Sequence, residues 1–284
     1  MSATRAPGDP RRLHPDEVPA LTRRLETGFA TAGPAVASLL NQHLLDALDQ
    51  GEHERFVLWP GDDPVAVLYA AANSSAIPAG HPSAARALAG PLERSGWRVL
   101  IGDAPLTQAL VDTVPAPLFR RGPRVREQRF MVLRNPRRRV VAGLRPAGLA
   151  DLEAVTEFAC RLHEEDLMGP PISRSGRGAV RVRMMEATSR SAVWVVERGG
   201  KPVAKVDLSL CSRRRGAQVA GVYVLPEWRG HGIAAAAVGE IGAHLLEQGF
   251  PGVTLHVRSD NAAAIRAYER AGFTDEAALV LALR

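Results

Sequence analysis

Residues 221–234, GVYVLPEWRGHGIA, decide how this chain folds, and residues 261–273, NAAAIRAYERAGF, decide how that fold is used. In the first stretch an apolar strand runs to Pro226, a turn follows, and a long helix is predicted from Gly232 to Gln248, with Ile233, Ala237, Ile241 and Leu245 on one face. A helix N-terminus presents unpaired backbone N–H groups and a partial positive charge, which suits phosphate. Gly230 and Gly232 let the backbone approach an anion with no Cβ in the way, Ala234 keeps the first turn small, and Arg229 adds a cation. The pattern is neither GxxxxGK[ST] nor GxGxxG. Alone, it suits a structural glycine turn as well as it suits an anion site.

The second stretch follows the next strand. Asp260-Asn261 is placed to cap a helix. Asn261, Ala264 and Tyr268 stand at i, i+3 and i+7, so they share a face, and Gly272 ends the helix before Phe273 returns to the core. Alone, Asn261 reads as an ordinary N-cap and Tyr268 as a core aromatic. In α/β architecture, strand ends and the helix starts that follow them open on one edge. The Asn261–Tyr268 face is therefore expected beside the Arg229–Ala234 turn.

Together the two stretches resemble the GNAT superfamily of acyl-CoA N-acetyltransferases. The family pattern [QR]-x-x-G-x-[GA] falls on Arg229, Gly232 and Ala234. The pattern N-x-x-A-x-x-x-Y-x-x-x-G-F falls on Asn261, Ala264, Tyr268, Gly272 and Phe273. The resemblance covers about half the chain. It implies an α/β (α+β) fold with a mixed, splayed sheet flanked by helices, and acetyl-CoA as co-substrate. The strand Val219–Val224 would carry a bulge that parts it from Val253–Val257. The pantetheine arm would lie in the gap against the backbone of Val222, Tyr223 and Val224, and Arg229, Gly230, His231, Gly232, Ile233 and Ala234 would hold the pyrophosphate. An acceptor amine would attack the thioester directly, a backbone N–H near Val224 would stabilise the oxyanion, and Tyr268 would protonate the leaving thiolate. The resemblance implies no metal and no cysteine nucleophile.

The general base is less marked. Some family members carry a Glu on the strand before the pyrophosphate loop, but Gln218 stands near that position here, and an amide cannot take a proton. Glu164 and Glu165 follow the first helix of this half, where the family builds its acceptor site, and are the first candidates; Asp207 and His256 are alternatives. The Glu164-Glu165-Asp166 cluster favours a cationic amine, on a small molecule or a protein. A reading from another class is a coenzyme-binding sensor without turnover.

The 284 residues suggest two domains. Residues 1–18 read as a disordered arm, 19–135 as a small α/β domain ordered α-β-β-α-β-α-β, and 139–284 as the acyltransferase domain. The charge run Asn135–Arg139 marks the boundary. The first half resembles the extra domain of some two-domain bacterial members and is read as a degenerate copy of the same fold, although no internal sequence repeat is visible. Shaping the acceptor pocket or forming a homodimer is its expected role.

Hydrophobic residues make up 46% and no apolar run reaches membrane-helix length, so a soluble cytoplasmic protein is expected. Of 36 basic residues only Lys201 and Lys205 are lysines, a compositional habit that weakens any link from the +6 charge to nucleic acid. The runs Arg120-Arg121, Arg137–Arg139 and Arg213–Arg215 read as solvated faces, and Cys160 and Cys211 as buried free thiols.

Overall fold

The computed structural model describes residues 8–29, 34–60, 63–114, 122–166 and 171–284. It divides into two compact units. Unit 1 takes Met1–Phe130, Arg258–Asp260 and Glu276–Arg284; unit 2 takes Met131–Val257 and Asn261–Asp275. The units divide at Phe130/Met131, and Asn135–Arg139 lie inside unit 2, where the Asn135 and Arg137 amides donate to the carbonyls of Gly272 and Ala271.

Unit 1 begins with β1 (Arg11–Arg12), then α1 (Val18–Thr27), α2 (Pro34–Leu40) and α3 (Gln42–Asp49). Next come β2 (Phe56–Trp59), β3 (Ala66–Ala70), β4 (Ser75–Gly80), α4 (Ala85–Arg94), β5 (Val99–Asp103) and α5 (Ala104–Thr113), and then β6 (Arg124–Leu133), which passes into unit 2. The arm expected over residues 1–18 is corrected from residue 8 onward, because Arg11 and Arg12 pair with Leu58 and Val57 of β2; residues 1–7 lie outside the described residues. Strand β4 escaped the sequence reading because SAIPAG carries the Pro and Gly that usually mark turns, yet Pro78 stands opposite Leu68 in the β3 register. Two clusters form the core. Leu25, Leu44, Leu45 and Phe56 lie in one, and Leu88, Leu92, Leu100 and Leu106 in the other.

Unit 2 runs β7 (Leu144–Pro146), α6 (Leu152–Glu165), α7 (Arg174–Ser189), β8 (Val193–Arg198), β9 (Lys201–Ser212) and β10 (Gly216–Val224). It continues through α8 (Ile233–Glu247), β11 (Val253–Arg258), α9 (Ala262–Ala271) and the start of β12 (Phe273–Leu283). The expected element order holds. The first strand starts at Leu144 rather than Val140, and Val140 is exposed. Of the Gly169–Gly178 stretch, residues 174–178 are helical and 169–170 lie outside the described residues. The strands β7, β8, β9 and β10 are antiparallel neighbours, and β10 and β11 are parallel. Ile233, Ala237, Ile241 and Leu245 of α8 enter the large core with Val219, Val253 and Leu255, as their spacing predicted. Helices α6 and α7 cover the other face through Val155, Ala159, Val180 and Met184, packed on Val193 and Val195.

Candidate functional site

The parallel ladder between β10 and β11 is short. It pairs Ala217–Val219 with Val253–Leu255 and shows no register beyond that. On its other side β10 pairs with β9, and there the register jumps between Gln218 and Val219 and again between Ala220 and Tyr223. Gly221 and Val222 are thus bulged out of the β9 register. A bulge bends its strand and increases local twist, which is how a fork opens where the β10–β11 pairing stops. The expected splay is present, at Ala220–Val222.

From the fork the chain passes through Pro226–Trp228 to the start of α8. Gly232 is the N-cap and adopts φ +76°, and Gly230 adopts φ +82°; these left-handed conformations, rather than close packing, require glycine. A Cβ built at either position would meet nothing within 4 Å, so the space before the turn is open. The helical ladder starts with the Ala236 amide donating to Gly232 O, and no side chain caps the helix. The amides of Ile233, Ala234 and Ala235 therefore precede the ladder. Ile233 is buried and anchors the turn, whereas His231 is exposed with its ring 6.5 Å from that of Trp228.

Arg229 is not idle in this turn. Its Nε donates to Val224 O at 2.9 Å, and its Nη2 donates to both carboxylate oxygens of Glu165, at 3.0 and 2.7 Å. The guanidinium lies 5.4 Å from the centre of the Tyr223 ring, and the Tyr223 hydroxyl donates to Glu165 Oε1 at 3.0 Å. Burial, and next the Glu165 carboxylate, push the Tyr223 phenol up. Glu165 sits in the last turn of α6, not after it, and is spent on these two partners. Glu164 is exposed and has no partner among the described residues.

Asn261 does what its position predicted. Its side chain accepts from the Ala264 amide at 3.1 Å and caps α9. Tyr268 is 9% exposed, packs against Phe273, and its hydroxyl makes no hydrogen bond among the described residues. Burial, with the Asp166 carboxylate second, pushes its phenol up.

The other base candidates fall into two networks. Gln218 accepts from Ser209 Oγ at 2.8 Å, and its Nε2 lies 2.9 Å from His256 Nε2. His256 stands one residue beyond the last β10–β11 pair. Asp207 is bound to Lys205, a residue the sequence reading did not single out as functional; its only signal was its rarity as a lysine. Burial pushes the Cys160 thiol up. Cys211 is exposed rather than buried, on an outward position of β9. Among the described residues no cluster could hold a metal ion and no helix is long and apolar enough to cross a membrane. Of the basic runs, Arg213 lies over Phe250 and Arg138 pairs with Glu247, so both serve packing; Arg120-Arg121 lie outside the described residues.

Comparison with known proteins agrees with this geometry. Residues 159–273 match the acetyltransferase (GNAT) family, so the C-terminal half carries a domain of that family. Among curated proteins, a mycothiol acetyltransferase of Nocardiopsis dassonvillei is 44% identical over 61 residues, 20% of this chain and 18% of that protein. An acetyltransferase of Sodalis glossinidius is 36% identical over 76 residues, 27% of this chain and 52% of that protein. The matched stretches thus span about a fifth and about half of these curated relatives. Among solved structures, a GCN5-related N-acetyltransferase from Sphaerobacter thermophilus aligns with 99% of this chain and 96% of its own, with a TM-score of 0.63 and 18% identity. A GNAT-family acetyltransferase from Colwellia psychrerythraea aligns with 97% and 98%, with a TM-score of 0.59 and 14% identity. These likenesses are of fold, and they run through both units.

Proposed function

We propose that this protein transfers an acetyl group from acetyl-CoA to a primary amine. The observation that carries the reading is the glycine-capped start of α8, whose first-turn amides precede the helical ladder with no side-chain cap, one short turn from the β10–β11 fork. Those amides suit the pyrophosphate, and the stretch of β10 beyond the β11 register, Val222–Val224, suits the amides of a pantetheine arm. The amine nitrogen attacks the thioester carbonyl, a β10 amide stabilises the oxyanion, and the C–S bond breaks as the Tyr268 hydroxyl gives its proton to the departing sulfur. The excess proton on the amine leaves to solvent or to a base. Glu165 does not fill that role while Arg229 and Tyr223 hold it. Exposed Glu164, with Asp166 nearby, favours a cationic acceptor, on a small molecule or a protein.

The occupied state of Glu165 also favours a second reading, a coenzyme-binding sensor without turnover. One assay separates the two. With acetyl-CoA and a broad amine panel, free thiol release above the amine-free rate is expected for the enzyme; tight coenzyme binding with no amine-dependent thiol supports the sensor.

A further inference from the structure

Beneath the bulge lies a charge that folding alone does not explain. Of 36 basic residues in this chain only two are lysines, and Lys205 is one of them. It is also the buried one, 1% exposed. Its Nζ donates to Asp207 Oδ2 and, at 2.8 Å, to the carbonyl oxygen of Gly221. Asp207 Oδ1 is buried with no hydrogen-bond partner, and burial pushes the carboxyl up against the opposing pull of Lys205 and the more distant Arg183. Such a pair is a poor stabiliser. The desolvation of both ions is offset only by good geometry and full satisfaction, and a well-packed apolar pair is often at least as stable.

Gly221 completes the arrangement. It adopts φ +48°, and a Cβ there would overlap the Asp207 carboxylate and crowd Lys205 Nζ. Only glycine fits over the pair. The ammonium is compact, with three rotatable donors, whereas a guanidinium is planar and larger; this explains a lysine in a chain that otherwise uses arginine.

The held group is the peptide between Gly221 and Val222. A trans peptide is planar, so its C=O and N–H point in opposite directions. Fixing Gly221 O on Lys205 therefore turns the Val222 N–H away from Lys205. Gly221 and Val222 have no counterpart in the β9 register, and the β11 register ends at Val219. We propose that Lys205, braced by Asp207, is a positioning residue that aims the Val222 amide into the fork as a donor to the thioester carbonyl. This rests on the acyltransferase reading above.

The test uses the full chain and an amine chosen from the panel. The double variant Lys205→Met/Asp207→Leu removes both charges at similar volume. It is expected to keep its melting temperature and to bind acetyl-CoA within about threefold. It should lose about tenfold to a hundredfold in kcat, as when an oxyanion donor is misaimed, with the acceptor KM unchanged. Lys205→Arg should not restore the rate. A folded double variant with kcat within about twofold of wild type overturns the proposal. Should the double variant not fold, the wild-type chain labelled with 15N-valine decides: the Val222 amide resonance should shift with acetyl-CoA and shift less with CoA. Equal shifts, or none, overturn the proposal. A wild-type chain that binds no acetyl-CoA overturns the acyltransferase reading together with it, whereas binding and turnover that survive the double substitution overturn the positioning role alone.

Discussion

The two units follow the same plan, and only one carries the features of a coenzyme site. In unit 1, Arg11 of β1 binds Glu17, six residues on, and Glu17 accepts from the amide of His14. In unit 2, Arg145 of β7 binds Asp151, also six residues on, and Asp151 accepts from the amide of Gly148. Each lock precedes a helix. Each unit then sets three antiparallel strands, β2-β3-β4 or β8-β9-β10, and a parallel partner beyond a helix, β5 beyond α4 or β11 beyond α8. The units differ where that helix begins. His81 caps the turn before α4 with its own side chain, which accepts from the Ser83 amide at 3.2 Å. Gly232 caps α8 with no side chain at all. Strand β10 carries a bulge over a buried ion pair, while β4 runs in unbroken register with β3. The two frames thus differ in the cap of that helix and in the bend of that strand.

Breaking the chemistry but not the frame should give the largest effect. Tyr268→Phe is expected to lower kcat by about a hundredfold or more, the usual worth of a general acid, with acetyl-CoA affinity within about twofold. Unchanged turnover would remove Tyr268 from the mechanism. Because burial raises this phenol, it stays protonated past its usual value near pH 10. The wild-type rate should therefore show no alkaline fall owed to Tyr268 below about pH 10. An alkaline limb near pH 8 that disappears in Tyr268→Phe would contradict that account.

Making the α8 turn resemble the α4 turn comes next. Gly232→Asp places a side chain in a left-handed position, lets it satisfy the amides itself, and sets a charge against the pyrophosphate. Acetyl-CoA affinity should fall about tenfold to a hundredfold. The reverse control, His81→Ala, removes a cap in unit 1; it should cost about 1 kcal/mol of stability by chemical denaturation and leave coenzyme affinity unchanged. If His81→Ala weakens binding as much as Gly232→Asp does, the contrast between the units is wrong.

The smallest effect concerns what the units share. Arg11 holds the Glu17 carboxyl down to about 2, and Arg145 lowers that of Asp151. A carboxylate depressed in the folded state contributes stability that is present above its unfolded pKa, near 4, and is lost as pH falls through its folded value. Glu17→Gln and Asp151→Asn should each cost less than about 1 kcal/mol at pH 7, given their partly exposed partners, and should flatten the acid limb of the stability curve. Comparable loss in the two variants would support the shared plan; a steep loss in one alone would count against it.

The frame of unit 2 was legible because glycine, proline and apolar spacing punctuate it at every step. The repeat in unit 1 was not. Its strand β4 is written with Pro78 and Gly80, and the Arg11–Glu17 and Arg145–Asp151 locks share a spacing but scarcely a sequence. At the site, a helix start near Gly232 and the Asn261 cap were foreseen from the residues, and the bulge from the family resemblance. The engagement of Glu165 by Arg229 and Tyr223 was not, because residues 165, 223 and 229 meet only through the packing of α6 on β10. Lys205 was hidden for a similar reason. Alternation along KPVAKVDLSL shows a polar residue among apolar ones, but not that its ammonium reaches back to Gly221.

Calorimetric titration of the full chain with acetyl-CoA tests the central claim most directly. Two units of one plan, of which unit 2 alone starts its helix on an uncapped glycine turn, predict a single coenzyme per chain, weakened in Gly232→Asp and unaltered in His81→Ala. Two coenzymes per chain, or one that binds Gly232→Asp as tightly as wild type, would contradict it.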